Sequence, residues 1–147
     1  MIKSIIYNIE ELKTKSEEAN KNRINGIVDL LEKELSKHKN GIGLSGIQIG
    51  IPEKVAIIRI PQQKISIDLI NAKIIEKYDR FMMKNEGCLS LPGIYVDTIR
   101  YKEVEIENNG KRFIYTLEED GVICIAIQHE IEHMNGRTIL DSKWKRR

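Results

Sequence analysis

Residues 120–136 read DGVICIAIQHEIEHMNG, and the reading of this stretch decides the fold. It is mostly apolar through Met134, and Gly136 follows as a stop signal, so it predicts one helix over Asp120–Met134. On that helix His129 and His133 stand four residues apart, one above the other on the same face. Glu130 directly follows the first histidine and lies at the edge of that face. Two imidazoles so placed can grip one metal ion, and a carboxylate beside them can work on water. The bland alternative is a helix with two surface histidines and a satisfied glutamate.

Outward from this helix the pattern changes. Residues 20–39 carry Ile24, Ile27, Val28, Leu31 and Leu35 at helical spacing, with Asn40-Gly41 as a natural stop. Lys54–Ile60 (KVAIIRI) reads as a buried strand closed by Pro61, and Ile65–Ile75 as one or two more. Val104–Glu107 and Arg112–Thr116 flank Asn108-Asn109-Gly110 and read as a hairpin. Thr138-Ile139-Leu140 is expected to form one short strand before a polar, basic tail. Helix, strands, helix is the order of an α+β domain, not of alternating βαβ units.

Composition sets the outer bounds. The 147 residues favour a single domain over 1–147, large enough for a core without disulfides. Net charge is +2 and the basic residues are spread, apart from the KWKRR tail, so a DNA partner is not expected. The start, MIKSIIYNIEELKTK, lacks the apolar core of a secretory signal, and no 18-residue apolar run suggests a membrane span. With only two cysteines, Cys88 and Cys124, a reducing compartment is expected. That means the cytoplasm, with an organelle matrix or a host cytoplasm as alternatives.

A catalytic metal usually takes three protein ligands and leaves one position open. Only 14 residues follow His133, and they hold no His and no Glu. The third ligand must then come from upstream. Cys124 sits in the apolar run GVICIAI and reads as core packing. Cys88, in EGCLSLPG (86–93), is flanked by Gly87 and a Pro-Gly turn and is presented as a loop residue. Cys88, His129 and His133 make a plausible three-ligand set for one divalent ion per chain. Such a set accepts Fe²⁺, Zn²⁺, Co²⁺ or Ni²⁺.

GIGLSGIQ (41–48), EGCLS (86–90) and QHEIEHMNG (128–136) resemble, in order and separation, the three signature motifs of the peptide deformylase family. The resemblance covers nearly the whole chain and implies sheets packed around a central metal-binding helix, with an N-terminal helix. It implies hydrolysis of the formyl group from N-formylmethionyl ends of new polypeptides, releasing formate, with Fe²⁺ as the usual ion. Glu130 then takes the proton of the attacking water and passes it to the leaving amine. Gln48 and the backbone N–H of Leu89 stabilise the oxyanion. Ile42, Gly43 and Leu44 run beside the substrate, with Gly87 close by, and Glu86 and Arg100 support the ligands. Val122, Ile125 and Ala126 precede His129 at helical spacing and form a methionine pocket or, on the bland reading, ordinary core. Gln48 and Arg100 have their own bland readings, as a strand-end amide and a surface charge.

The chain departs from the family pattern at Ser45-Gly46, usually two alanines, and at Glu132 and Met134, usually Asp and Leu. Many bacterial members continue past the third motif into a C-terminal helix, so a short, divergent member is expected. The site is complete at His133 on this reading, and residues 142–147 are expected to be dispensable for turnover, unless Trp144 caps the core. The basic residues Lys143, Lys145, Arg146 and Arg147 suggest a transient ribosome contact, and a monomer is expected. Two alternatives remain: a small HExxH metallopeptidase, and an inactive metal-binding or ribosome-associated relative.

Overall fold

A computed structural model describes residues 4–146; Arg147, one of the tail cations, lies outside the described residues. The elements run α1 (Ile9–Leu12), α2 (Ile24–Leu35), β1 (Gly43–Ser45), β2 (Val55–Ile60), β3 (Ile65–Ile70), β4 (Lys73–Gly87), β5 (Tyr95–Asn108), β6 (Lys111–Thr116), α3 (Leu117–Asp120) and α4 (Val122–Met134). Short 3₁₀ turns cover Gly46–Ile49, Pro61–Gln63 and Ile139–Ser142. The strands form two antiparallel three-stranded sheets, β1-β2-β3 and β4-β5-β6, as expected of the α+β class.

The first sheet has both faces covered. Ala56 and Ile58 of β2 pack with Ile123, Ile127 and Ile131 of α4. Val55 and Ile57 pack on the other side with Ile27, Leu31 and Leu35 of α2. This is why KVAIIRI is apolar without alternation: no face of it meets water. The same α4 cluster takes in Val104 and Ile106 of β5, so α4 lies between the two sheets. Its near-continuous apolar sequence follows from that position.

Several boundaries differ from the sequence reading, each for a local reason. The helix expected over Asp120–Met134 is split at Gly121, whose φ of 58° and ψ of −131° interrupt the ladder, leaving α3 and α4. Ile65–Ile75 resolves into β3 and the start of β4. β4 and β5 are 15 and 14 residues long, far beyond the short Val104–Glu107 segment that was legible. Two register shifts in β4, at Ile74/Glu76 and Met83/Glu86, break its alternation. Thr138-Ile139-Leu140 is not a strand. Thr138 caps a 3₁₀ turn instead, accepting from Leu140 N at 3.1 Å while its own N–H donates to Asp141 at 2.9 Å. No helix among the described residues is long and apolar enough to cross a membrane.

The hairpin is tighter than its flanking residues suggested. Asn108 pairs Lys111, so the loop is Asn109-Gly110 alone, at φ of 51° and 80°. Both lie in the left-handed region that a two-residue hairpin loop requires. A Cβ on Gly110 would meet nothing within 4 Å, so any penalty there is purely one of the backbone. Gly110→Val is expected to cost about 1–2 kcal/mol, read by denaturant unfolding. Unchanged stability would mean that the loop can adopt another turn.

Candidate active site

The three expected ligands come from two elements. His129 and His133 project from α4, and Cys88 follows the last residue of β4. His133 Nε2 lies 3.1 Å from His129 Nε2 and 3.4 Å from Cys88 Sγ. The ligating atoms of all three residues lie within 4.8 Å of one another. A tetrahedral ion with nitrogen ligands at 2.0–2.1 Å and sulfur at 2.3 Å sets its donors about 3.3–3.6 Å apart. The spacing therefore fits a single ion.

The electrostatics fit as well. Burial and the neighbouring charge of His129 push His133 well below the usual imidazole range, which keeps a lone pair open. Burial also works to lower His129, but its contacts with Cys88 and Glu86 outweigh that and raise it, so the surroundings favour positive charge. His129 Nδ1 stands 2.7 Å from Glu86 Oε2. Donation of its N–H to that carboxylate leaves Nε2 as the ligating atom.

Glu86 is itself held by Arg100 through two bonds, 2.8 Å from Nε and 2.6 Å from Nη2, and by Thr98 Oγ1 at 2.7 Å. Arg100 is only 2% exposed, which overturns the surface-charge alternative. Its Nη1 donates to Glu132 Oε1 at 2.8 Å. A β-bulge between Met83 and Glu86, with Asn85 left-handed at φ 54°, precedes Glu86 where it turns inward.

Glu130 and Gln48 stand beside the ligands. Glu130 is buried, and burial, reinforced by the charge of Glu86, pushes its carboxyl up to about 7. Its Oε1 has no hydrogen-bond partner among the described residues. A Cβ on Gly43 would fall 2.6 Å from Glu130 Oε2, so only glycine in β1 leaves room for this carboxylate. Gln48 is buried on the Gly46–Ile49 turn, not at a strand end. Its Oε1 accepts from Ser45 N at 3.0 Å and from Ser45 Oγ at 3.3 Å. That turns its Nε2 toward Ser90 Oγ at 3.1 Å and Cys88 Sγ at 3.5 Å. The unusual Ser45 thus adds a bond that orients Gln48.

A cavity of about 580 Å³ opens onto these groups. Ile42, Gly43, Gln48, Gly87, Cys88, Leu89, Val122, Ile125, Ala126, His129 and Glu130, all expected, line it together. Leu44 does not: its side chain is fully buried in the α2 core, so only its backbone is available. Val122 is 44% exposed at the rim, with Tyr7, Ile94 and Tyr95, so it is no core residue. The sequence reading missed Ser90, Thr98 and Ser142. Thr98 was findable, since it shares a strand face with Arg100, had Tyr95–Asn108 been seen as a strand.

Two measurements follow. Cys88→Ala should lose bound metal on dialysis, whereas Cys124→Ala should retain about one ion per chain. The thiol of Cys124 is fully buried, raised by burial, and faces Tyr101 O at 3.7 Å. The second concerns acid. Burial works to raise Glu86, but its bonds to His129 and Arg100 hold it down to about 2. Such a carboxyl stabilises the fold above its unfolded value of about 4.3, and the contribution is lost as pH falls through about 2. Denaturant titrations of the metal-free protein should show stability falling between about pH 4 and 2. Glu86→Gln should flatten that slope while lowering stability at neutral pH.

Known proteins resemble this chain in sequence and in fold. The peptide deformylase of Helicobacter pylori (strain P12) is 41% identical over 108 residues, covering 69% of this chain and 62% of that protein. That of Borreliella burgdorferi is 37% identical over 111 residues, 74% of this chain and 66% of that protein. The aligned chain thus spans about three-fifths to two-thirds of these curated relatives. Among solved structures, a peptide deformylase from Legionella pneumophila superposes with a TM-score of 0.83 at 27% identity, over 98% of this chain and 87% of that one. The Thermotoga maritima peptide deformylase shares the fold, with a TM-score of 0.81 at 23% identity over 99% of both chains. The polypeptide deformylase profile matches residues 3–147, a span that includes Gln48, Cys88, His129, Glu130 and His133, and the chain belongs to that family.

Proposed function

We propose that this chain removes the formyl group from N-formylmethionyl ends of newly made polypeptides and releases formate. The observation that carries the reading is the meeting of Cys88, His129, Glu130 and Gln48 at one cavity, with the buried His133 within ligand spacing of Cys88 and His129. Cys88, His129 and His133 hold one divalent ion, which we assign as Fe²⁺, with Zn²⁺, Co²⁺ and Ni²⁺ as working substitutes. When bound, such an ion supplies acidification of water, from roughly 15.7 to about 7 in pKa, and a Lewis acid for the carbonyl.

The protein residues do the rest. β1 is an edge strand, paired only with β2 among the described residues, and a substrate peptide adds to its cavity side at Ile42 and Gly43. Ile42 and Gly43, with the Leu44 backbone, hold the substrate main chain there. Val122, Ile125 and Ala126 take the methionine side chain, and Gly87 lets the chain approach closely. Glu130 takes the proton of the attacking water and returns it to the leaving amine, a role suited to a carboxyl that titrates near neutrality. Gln48 Nε2 and the N–H of Leu89 donate to the oxygen on which charge develops. Glu86 and Arg100 hold His129 in register for this work. The chain acts as one catalytic unit and as a monomer, in the cytoplasm or an organelle matrix. The exposed Lys143, Lys145 and Arg146 are the contact points for any ribosome encounter.

Formate release from a formyl-Met peptide, compared with cleavage of its unformylated counterpart, tests the reading directly. Glu130→Gln should keep its metal and lose about 10² to 10⁴-fold in turnover. Gln48→Ala should lose roughly 10² to 10³ in kcat. Cleavage of the unformylated peptide at a comparable rate would make the chain a peptidase instead. Near-normal formate release from Glu130→Gln would assign water activation to another group.

A further inference from the structure

Ser142 was expected to begin a dispensable polar tail, yet it is 4% exposed, and its hydroxyl donates to Glu132 Oε2 at 2.5 Å. The other oxygen of Glu132 accepts from Arg100 Nη1 at 2.8 Å, and Arg100 in turn grips Glu86, the partner of His129. An unbroken line of bonds thus runs from the C-terminal turn to a candidate metal ligand. The turn is itself well anchored. Ile139 is 1% exposed, in a cluster with Leu91 and Val96. Lys143 bridges antiparallel to Thr98, and Trp144 N donates to Asp97 O at 2.8 Å. The guanidinium of Arg80 lies 4.1 Å from the Trp144 ring centroid and donates to the Lys145 carbonyl. Thr98, bridged by Lys143, is the residue that donates to Glu86 Oε1. The segment therefore meets the buried network at both ends, on Glu132 through a side chain and on Thr98 through the backbone.

We propose that the turn Ile139–Ser142 is a working part of the metal site, in which Ser142, through Glu132 and Arg100, positions the Glu86 carboxylate that orients His129. The physical reason is side-chain freedom. Glu132 stands on the rigid α4, but its own torsions are free until both carboxylate oxygens are held. With Ser142 on one oxygen, the other stays on Arg100 Nη1, and the guanidinium cannot swing away from Glu86. Arg137, half exposed, stands only loosely by the same Glu132 oxygen at 3.8 Å, so the close bonds are those of Ser142 and Arg100, and the Glu86 carboxylate held by Arg100 is the negative charge directly behind His129 that favours a cation on its far nitrogen. Ser142 and Glu132 are positioning residues, and neither touches substrate.

The inference rests on the reading that Cys88, His129 and His133 hold an ion. Its test uses the full chain loaded with Co²⁺, with Ser142→Ala, Ser142→Thr and Glu132→Asp as variants. Three quantities are read: the Co²⁺ dissociation constant by chelator competition, the visible absorption of the Co²⁺ centre, and the melting temperature of the metal-free protein. Loss of a direct outer partner costs 10- to 100-fold in metal affinity. Three bonds further out than Glu86, Ser142→Ala should weaken Co²⁺ by a smaller factor, about 2- to 5-fold, and shift its bands. Ser142→Thr should restore both. Glu132→Asp, too short to span Ser142 and Arg100 together, should resemble Ser142→Ala, and the double variant should be no worse than either. Wild-type affinity and spectrum in Ser142→Ala and Glu132→Asp, whatever their melting temperatures, would reduce the turn to a structural element. A wild-type chain that binds no Co²⁺ would remove the metal reading itself, a distinct outcome.

Discussion

Arg100 is a full positive charge with almost no access to water, and a charge so placed persists only where its partners are close and well aligned. Glu86 and Glu132 supply that alignment on opposite sides of one guanidinium. The arrangement ties β4, β5 and α4 together at a single point. Burial works to lower Arg100, yet the two carboxylates raise it, so it stays charged at any ordinary pH. His129 is aimed from this point, and the ring orientation of one candidate ligand is set by a pairing that no ligand takes part in.

The parts of this arrangement legible in the sequence are those whose chemistry is local. HExxH places two imidazoles by helix geometry alone, and the elimination of downstream ligands leads to Cys88 without knowledge of the fold. The hairpin follows from Asn-Gly, and β2 from an apolar run that ends in proline. Family resemblance added Gln48, Leu89, Glu86 and Arg100, which neither periodicity nor spacing singles out.

The parts that stayed hidden depend on long-range contact. β4 reads poorly because it is bulged twice and offers little continuous apolar alternation. With its partner β5 read only as Val104–Glu107, Thr98 and Arg100 cannot be seen as neighbours on one face. Leu44 was assigned to substrate by its place in a motif, but the α2 core claims its side chain. Ser142 carried no signal of its own, since a serine before KWKRR looks like solvent-facing tail. Glu132, where the family pattern has Asp, differed by one methylene, and its reach is visible only with both of its partners in place.

The position of α4 between the sheets has a consequence for how such a molecule can change. The apolar cluster it belongs to spans β2, β3 and β5, so its amides should open to exchange only when the whole fold opens, not through local fraying. Groups mounted on it gain precision and give up adaptability, and drift in their neighbours is paid in stability before it alters chemistry. Tyr7, Ile94 and Tyr95 are exposed around the mouth of the same cavity and are far less constrained by packing. Diversification among descendants of this chain therefore has an inexpensive outlet at the rim, where what the cavity admits can shift while the centre stays as it is.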